Sequence, residues 1–184
     1  MEDKVLTMTP VTDVPCWNMF AVFDGHGGSF TVDYLHSNIA NVLTRTVLDI
    51  QKQIGTITED SSKNVLETVL KETCATLDLE MSIQPRMIAI KKKDTYTCHD
   101  YSGSTANICL FSKRYLAVAN VGDSRALLAQ WVQDPPFSAD KATPQRSEVR
   151  SERSKGVLRA SALSRDHKFN IEEERIRAEN ANAK

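Results

Sequence analysis

Asp24 and His26 stand two positions apart at the end of the apolar run Met19 to Phe23, and Gly25, Gly27 and Gly28 surround them. A run that short and that aromatic reads as a buried strand. Asp24 then sits where the strand leaves the core, and the glycines let the backbone bend sharply or approach a bound species closely. Two other acidic places share this character: Glu2 and Asp3 near the start, and Asp123 in the turn Gly122-Asp123-Ser124. Carboxylates of this kind are hard oxygen donors, suited to Mg²⁺ or Mn²⁺ with several waters kept on the ion. Gly25 can offer its carbonyl oxygen without steric interference. A divalent ion acidifies the water it holds, and a pair of ions can clamp a phosphoryl group in line. His26 is placed as a general acid for a leaving alkoxide. Singly, each acid is an ordinary turn residue; together they read as chemistry.

The surrounding elements must position these side chains. The first strand is expected over Asn18 to Phe23. From Phe30 to about Ile54 the apolar residues Val32, Leu35, Ile39, Val42, Leu43, Val47 and Leu48 recur at helical spacing, which predicts an amphipathic helix. Gly55 and Thr56 end it. Ser61 and Ser62 are expected to cap a second helix carrying Val65, Leu66, Val69, Leu70, Ala75 and Leu77 on its apolar positions. Lys91, Lys92 and Lys93 mark a solvated loop. Strands follow at Ala106 to Phe111 and Tyr115 to Val121, and a third is expected to return from the Gly122-Asp123-Ser124 turn over Arg125 to Gln130. Residues 131–155 are polar and rich in Pro, Ser and Arg, so a surface insertion is expected there, open to protease. Val157 to Leu163 reads as one more short strand, and Ile171 to Ala183 as a helix with a weak apolar face. Strands pairing through short turns after a helical half point to an antiparallel α+β arrangement, and away from a parallel nucleotide-binding sheet.

Composition narrows the function classes. The 184 residues carry 23 Lys and Arg against 24 Asp and Glu, a formal charge of −1. That balance supplies no electrostatic reason to bind nucleic acid or an anionic membrane. No apolar stretch is long enough for a transmembrane segment. Cys16, Cys74, Cys98 and Cys109 are scattered, with no Cys-x-x-Cys pair. They read as reduced thiols of a cytoplasmic or nuclear protein. Cys98-His99 lacks a partner pair at zinc spacing.

The motifs also occur in a familiar order. The chain resembles the metal-dependent protein phosphatases, the type 2C serine/threonine phosphatases. Met1-Glu2-Asp3 is similar to that family's MED motif, and Phe20 to Gly28 to its FAVFDGHGG motif. Ser102-Gly103-Ser104-Thr105-Ala106 resembles its SGSTA element, and Val121 to Ala126 its VGDSRA segment. Leu163 to Lys168 resembles LSRDHK, and Glu174-Arg175-Ile176 the ERI that follows. The resemblance implies a β-sandwich flanked by helices with two Mn²⁺ or Mg²⁺ ions between the sheets. It implies that Asp24 bridges the ions, that Gly25 ligates one through its carbonyl, and that Glu2 and Asp3 sit beside metal-held waters. His26 would be the general acid. Asp123 matches the residue that can help hold a weaker third ion. The substrates implied are phosphoserine and phosphothreonine in proteins, acted on by a monomer.

The family also has an arginine ahead of the acidic pair that grips the substrate phosphate, and later strands that bring two more aspartates to the metals. Residues 1–184 show no counterpart of either. Phe169 stands where the family has proline, and no glycine pair follows Glu174-Arg175-Ile176. The expectation is therefore the N-terminal part of a type 2C catalytic domain: an α+β, partial β-sandwich of antiparallel sheets flanked by helices, truncated, with apolar sheet faces left uncovered. Two functions follow from different classes. One is a metal-dependent protein serine/threonine phosphatase. The alternative is a catalytically inactive phosphatase-like fragment that acts as a binding or regulatory module.

Overall fold

The computed structural model describes residues 2–11, 17–85, 87, 90–92, 95–97, 100–133 and 156–181. In chain order these form β1 (Lys4–Met8), β2 (Asn18–Phe23), β3 (Gly25–His26), α1 (Phe30–Ile54), α2 (Glu59–Ser82), β4 (Ile90–Lys92) and β5 (Thr95–Thr97). There follow β6 (Gly103–Ser104), β7 (Ala106–Phe111), β8 (Leu116–Val121), β9 (Leu127–Gln133), β10 (Gly156–Ala162) and α3 (Glu172–Asn180). Residues 134–155, which make up most of the expected insertion, lie outside the described residues, as do Met1, Cys16, Lys93, Cys98 and His99.

The main sheet runs β1-β2-β7-β8, antiparallel throughout. Strand side chains alternate between faces, and β2 shows the consequence. Met19, Ala21 and Phe23 are buried under the helices, while Phe20 and Val22 are exposed on the far face. Ile108 and Leu110 of β7 join the buried side. Against them α1 presents Val32, Leu35, Ile39, Val42, Leu43, Val47 and Ile50, and α2 presents Val65, Leu66, Val69, Leu70 and Leu77. The far face carries Val5, Phe20, Val22 and Leu116, all exposed. Phe20 stacks there on Phe111 with ring centroids 5.6 Å apart.

Helix α1 ends where expected, at Gly55, whose φ of +81° favours glycine. The start of α2 differs from expectation. Thr58 is the cap, its Oγ1 accepting from the Ser61 amide, and Ser61 is the third helical residue, whose Oγ accepts in return from the Thr58 amide. This is a capping box with serine in the place usually taken by Glu or Gln. Ser62 is not a cap because its hydroxyl is used in the core: it accepts from Trp17 Nε1 at 3.2 Å and donates to the Thr58 carbonyl at 2.9 Å. Glu59 in the first turn reaches the β7–β8 turn, accepting from Ser112 Oγ at 2.6 Å and the Arg114 amide at 2.9 Å. Ser112 first, then the Arg114 amide, hold its carboxyl below the ordinary value.

The sequence pattern missed β1, which pairs with β2 over its whole length, from Lys4 opposite Phe23 to Met8 opposite Met19. Lys91 and Lys92, expected in a loop, have backbones paired in β4 against β5. The strand after Gly122-Asp123-Ser124 also departs from expectation. Strand β9 pairs with β10, not with β8, so residues 122–126 form a passage between two sheets and not a hairpin turn. The backbone groups of the passage are taken by a later segment: the Leu163 amide donates to the Ala126 carbonyl, and the His167 amide to the Gly122 carbonyl, each at 2.9 Å. Strand β9 also continues beyond Gln130, with Trp131 opposite Leu158. Helix α3 buries none of its residues, as its weak apolar pattern suggests.

Removing side-chain volume from the middle of this core has a large expected cost. Leu43 is 0 % exposed between the helices and the sheet, so Leu43→Ala should destabilise by about 2–5 kcal/mol. In urea titrations the midpoint falls while the m value is unchanged. Val5→Ala, at a residue 65 % exposed, should stay within about 0.5 kcal/mol of the parent.

Candidate functional site

Strand β2 delivers Asp24 to the end of the main sheet, and Thr105 holds it there from both sides. The Thr105 amide donates to the Asp24 carbonyl at 2.9 Å, and the Asp24 amide donates to Thr105 Oγ1 at 3.1 Å. Next to this clamp, β3 and β6 form a two-residue ladder, with Gly25 opposite Ser104 and His26 opposite Gly103. Behind it, Ser102 anchors the start of α1: its Oγ accepts from the Thr31 amide at 3.1 Å, and its carbonyl accepts from Thr31 Oγ1 at 2.8 Å. A core strand, a helix start and a buried serine thus fix the backbone of the Asp-Gly-His stretch. The Asp24 and His26 side chains face solvent.

Two glycines in this region are set by contact. A Cβ on Gly25 would lie 2.7 Å from the Glu2 carbonyl oxygen and 3.0 Å from Val32 Cβ. The chain entering β1 therefore passes directly beside Gly25. The β1–β2 register ends at Lys4 opposite Phe23; continued by one and two residues it runs to Asp3 against Asp24 and Glu2 against Gly25. A Cβ on Gly103 would lie 2.6 Å from His26 Nε2, so the imidazole rests in space that only glycine leaves open. The Glu2 backbone thus meets Gly25, and the His26 imidazole meets Gly103.

Asp123 is tied in indirectly. Thr105 Oγ1 and Ser124 Oγ are 2.7 Å apart, and a Cβ on Gly122 would lie 2.8 Å from Thr105 Cγ2, with Gly122 at φ +93°. Both neighbours of Asp123 therefore touch the residue that clamps Asp24. The Asp123 carboxylate itself is 3.4 Å from Lys168 Nζ. Among the described residues, no group of three or more His, Cys, Asp or Glu side chains converges as a metal site. The donors present are nonetheless oxygens, and the described cysteines lie elsewhere, Cys74 on α2 and Cys109 on β7. That donor set suits a hard divalent cation.

Residues that the sequence reading did not single out for the site do much of the positioning. Asn107 Nδ2 donates to Asn120 Oδ1 at 2.7 Å, and Asn120 Nδ2 donates to the Gly122 and Arg165 carbonyls at 3.0 and 2.8 Å. Arg125 grips Asp166 at two points, 2.8 and 2.9 Å. This bond first, opposed by desolvation, holds the Asp166 carboxyl below its ordinary value. An available signal was asparagine at the interior positions 107 and 120 of two predicted strands, where amides are depleted.

Two outcomes follow. Gly25→Ala pushes against backbone and should unfold or displace the start of β1, whereas Gly103→Ala meets a movable ring. Gly103→Ala should keep the melting temperature within a few degrees, a loss of about 1 kcal/mol or less, while the His26 ring resonances move. The Arg125–Asp166 bond should respond to acid. Asp166 has its folded value lowered, so the bond's contribution is complete above the ordinary carboxylate range and is lost as pH falls below about 4. Protection of the Gly122 and Ala126 amides, corrected for intrinsic exchange, should fall in that window, and Arg125→Gln should flatten that fall.

The sequence profile of protein phosphatase 2C matches residues 1–184. Protein phosphatase 1L of Bos taurus is 32% identical over 130 residues, covering 70% of this chain and 31% of that protein. Probable protein phosphatase 2C 7 of Oryza sativa subsp. japonica is 31% identical over 164 residues, covering 89% and 30%. The crystal structure of a serine-threonine phosphatase 2C from Toxoplasma gondii superposes with a TM-score of 0.66 at 19% identity, over 97% of this chain and 49% of that one. At that identity the superposition establishes the fold, an α+β arrangement of antiparallel sheets and helices consistent with a truncated type 2C domain. The chain spans less than half the length of each of these relatives. The motif order, the full-length profile match and the fold together place this chain in the protein phosphatase 2C family.

Proposed function

We propose that this chain contributes the Asp24 half of the active site of a metal-dependent protein serine/threonine phosphatase. The observation that carries the reading is the clamped Asp24-Gly25-His26 stretch with the Glu2 backbone passing against Gly25. Asp24 and the Gly25 carbonyl would hold two Mn²⁺ or Mg²⁺ ions, with Glu2 and Asp3 beside the waters of those ions and Asp123 toward a weaker third. When bound, such ions neutralise phosphate charge and lower the pKa of the water they hold. Thr105 keeps the Asp24 backbone from shifting as charge gathers at the strand end. Gly103 keeps room for the His26 imidazole, which gives its proton to the departing serine or threonine oxygen as the P–O bond breaks. The substrates are phosphorylated proteins, and we propose a monomer located in the cytoplasm or nucleus. Among the described residues no helix is long and apolar enough to cross a membrane.

A second reading has its own support. Fewer than three ligating side chains converge among the described residues. This favours a chain that, by itself, binds or regulates without turning substrate over.

Phosphate release from a phosphothreonine peptide with Mn²⁺, measured on the full-length protein, separates the two. Under the first reading, Asp24→Asn should cut turnover at least about a hundredfold, and His26→Gln should slow alkyl phosphates roughly 10²-fold and an activated aryl phosphate much less. Calorimetric binding of the phosphopeptide with no phosphate released would favour the second.

A further inference from the structure

The side chain of Thr105 is fixed at both of its ends by residues of the passage between the sheets. Its Oγ1 accepts from the Asp24 amide at 3.1 Å and also lies 2.7 Å from Ser124 Oγ. Its methyl group rests against Gly122: a Cβ there would come 2.8 Å from Thr105 Cγ2, and Gly122 has φ +93°. Thr105 itself is buried. Threonine is stiff at χ1, so the direction of its hydroxyl also decides the direction of its methyl. Ser124 receives the one and Gly122 the other. A turn of χ1 to another staggered position would take Oγ1 away from Ser124 and the methyl away from Gly122.

The passage that supplies these two contacts is itself braced. On one side of Ser124, the Gly122 carbonyl accepts from the His167 amide at 2.9 Å. On the other side, the Ala126 carbonyl accepts from the Leu163 amide at 2.9 Å, and the Ala126 amide donates to Ser164 Oγ at 3.0 Å. Asn120 Nδ2 adds bonds to the Gly122 and Arg165 carbonyls. Residues on both sides of Ser124 are thus tied to one later segment, and the Ser124 hydroxyl is presented from a held backbone.

We propose that Ser124 is a positioning residue for Asp24: with Gly122 it selects the Thr105 rotamer whose Oγ1 receives the Asp24 amide. The inference rests on the reading of Asp24 as a residue of the phosphatase site. With that rotamer occupied, the amide at the end of β2 has a fixed acceptor. With it lost, the amide turns to water and the strand end is free to shift. A small displacement of a group that must meet a reacting atom costs rate heavily. Ser124 touches no reacting atom in this role and acts only through Thr105.

The test is amide hydrogen exchange of the full-length protein read by NMR and corrected for intrinsic rates, with phosphate release from a phosphothreonine peptide as a second readout. Ser124→Ala should lower protection of the Asp24 amide about three- to tenfold, the size of one lost hydrogen-bond restraint. Protection at Ile108 and Leu110, in the buried part of β7, should stay within about twofold, because the opening is local. Ser124→Thr keeps a hydroxyl and should remain within about twofold of the parent. Thr105→Val keeps the shape and removes the acceptor, so it should lower Asp24 protection further than Ser124→Ala does. Adding Ser124→Ala to Thr105→Val should then change nothing more, since the two act through one bond. In turnover, Ser124→Ala should lower kcat by about three- to tenfold and leave KM within about twofold. Unchanged Asp24 protection in Ser124→Ala overturns the proposal, and so does a parallel fall at Ile108 and Leu110, which marks general loosening of the sheet. If Asp24 protection falls and kcat does not, while Asp24→Asn still cuts turnover, the phosphatase reading stands and the positioning role is wrong. If Asp24→Asn itself leaves turnover unchanged, the reading of Asp24 falls and takes the proposal with it.

Discussion

The clamp between Thr105 and Asp24 is the constraint on which the site depends. One residue satisfies the amide and the carbonyl of Asp24, and its hydroxyl oxygen also lies within hydrogen-bond distance of Ser124. A strand that ends at a solvent-facing carboxylate would otherwise leave two backbone groups to water and fray. Because Thr105 lies between β6 and β7, the clamp ties the Asp24 end of β2 to the same strand that forms the centre of the sheet. The two-residue β3–β6 ladder and the Gly122 turn both assemble around it.

That clamp is only as firm as the layer behind it. Helices α1 and α2 cover one face of the sheet, and the buried side chains of β2 alternate with exposed ones on the other. The covered face holds Asp24 in register, since sliding β2 by one residue would turn Met19, Ala21 and Phe23 out of the core. Trp17 and Ser62 couple the entry of β2 to α2 through one buried bond. Among the described residues the other face keeps Val5, Phe20, Val22 and Leu116 exposed, and the β9–β10 pair stands as a separate, smaller sheet. Two sheets with different amounts of cover are what a partial sandwich looks like.

Charges in the passage between the sheets are arranged as a graded series. Arg125 is committed to the nearly buried Asp166, and Lys168 lies between Asp166 and the more exposed Asp123. A buried carboxylate needs a fixed partner, whereas an exposed one can exchange partners at low cost. The same short stretch of chain thus combines a two-point pair at Asp166 with a looser contact at Asp123.

Much was legible without coordinates because it depends on local rules. The strand at Asn18 to Phe23, the long amphipathic helix ending at Gly55, the second helix and the strand at Ala106 to Phe111 all follow from the spacing of apolar residues and from breakers. The candidate residues Asp24, Gly25 and His26 were legible as carboxylate, glycine and imidazole at a strand end. Their family order also told which motifs belong together. What the spacing of residues could not decide was pairing over long distances. Strand β1 is a short run beside a masking polar context, and only its partner β2 makes it a strand. Asp123 reads as a hairpin turn because hairpins are the commonest use of such a tripeptide, yet segment 163–167 takes the backbone groups that a hairpin would use. Ser62 reads as a cap until Trp17, 45 residues earlier, takes its hydroxyl into the core. Local sequence sets which conformations each segment favours; which donor meets which acceptor is settled only when the segments are brought together, because each buried polar group must find a partner somewhere in the assembled chain.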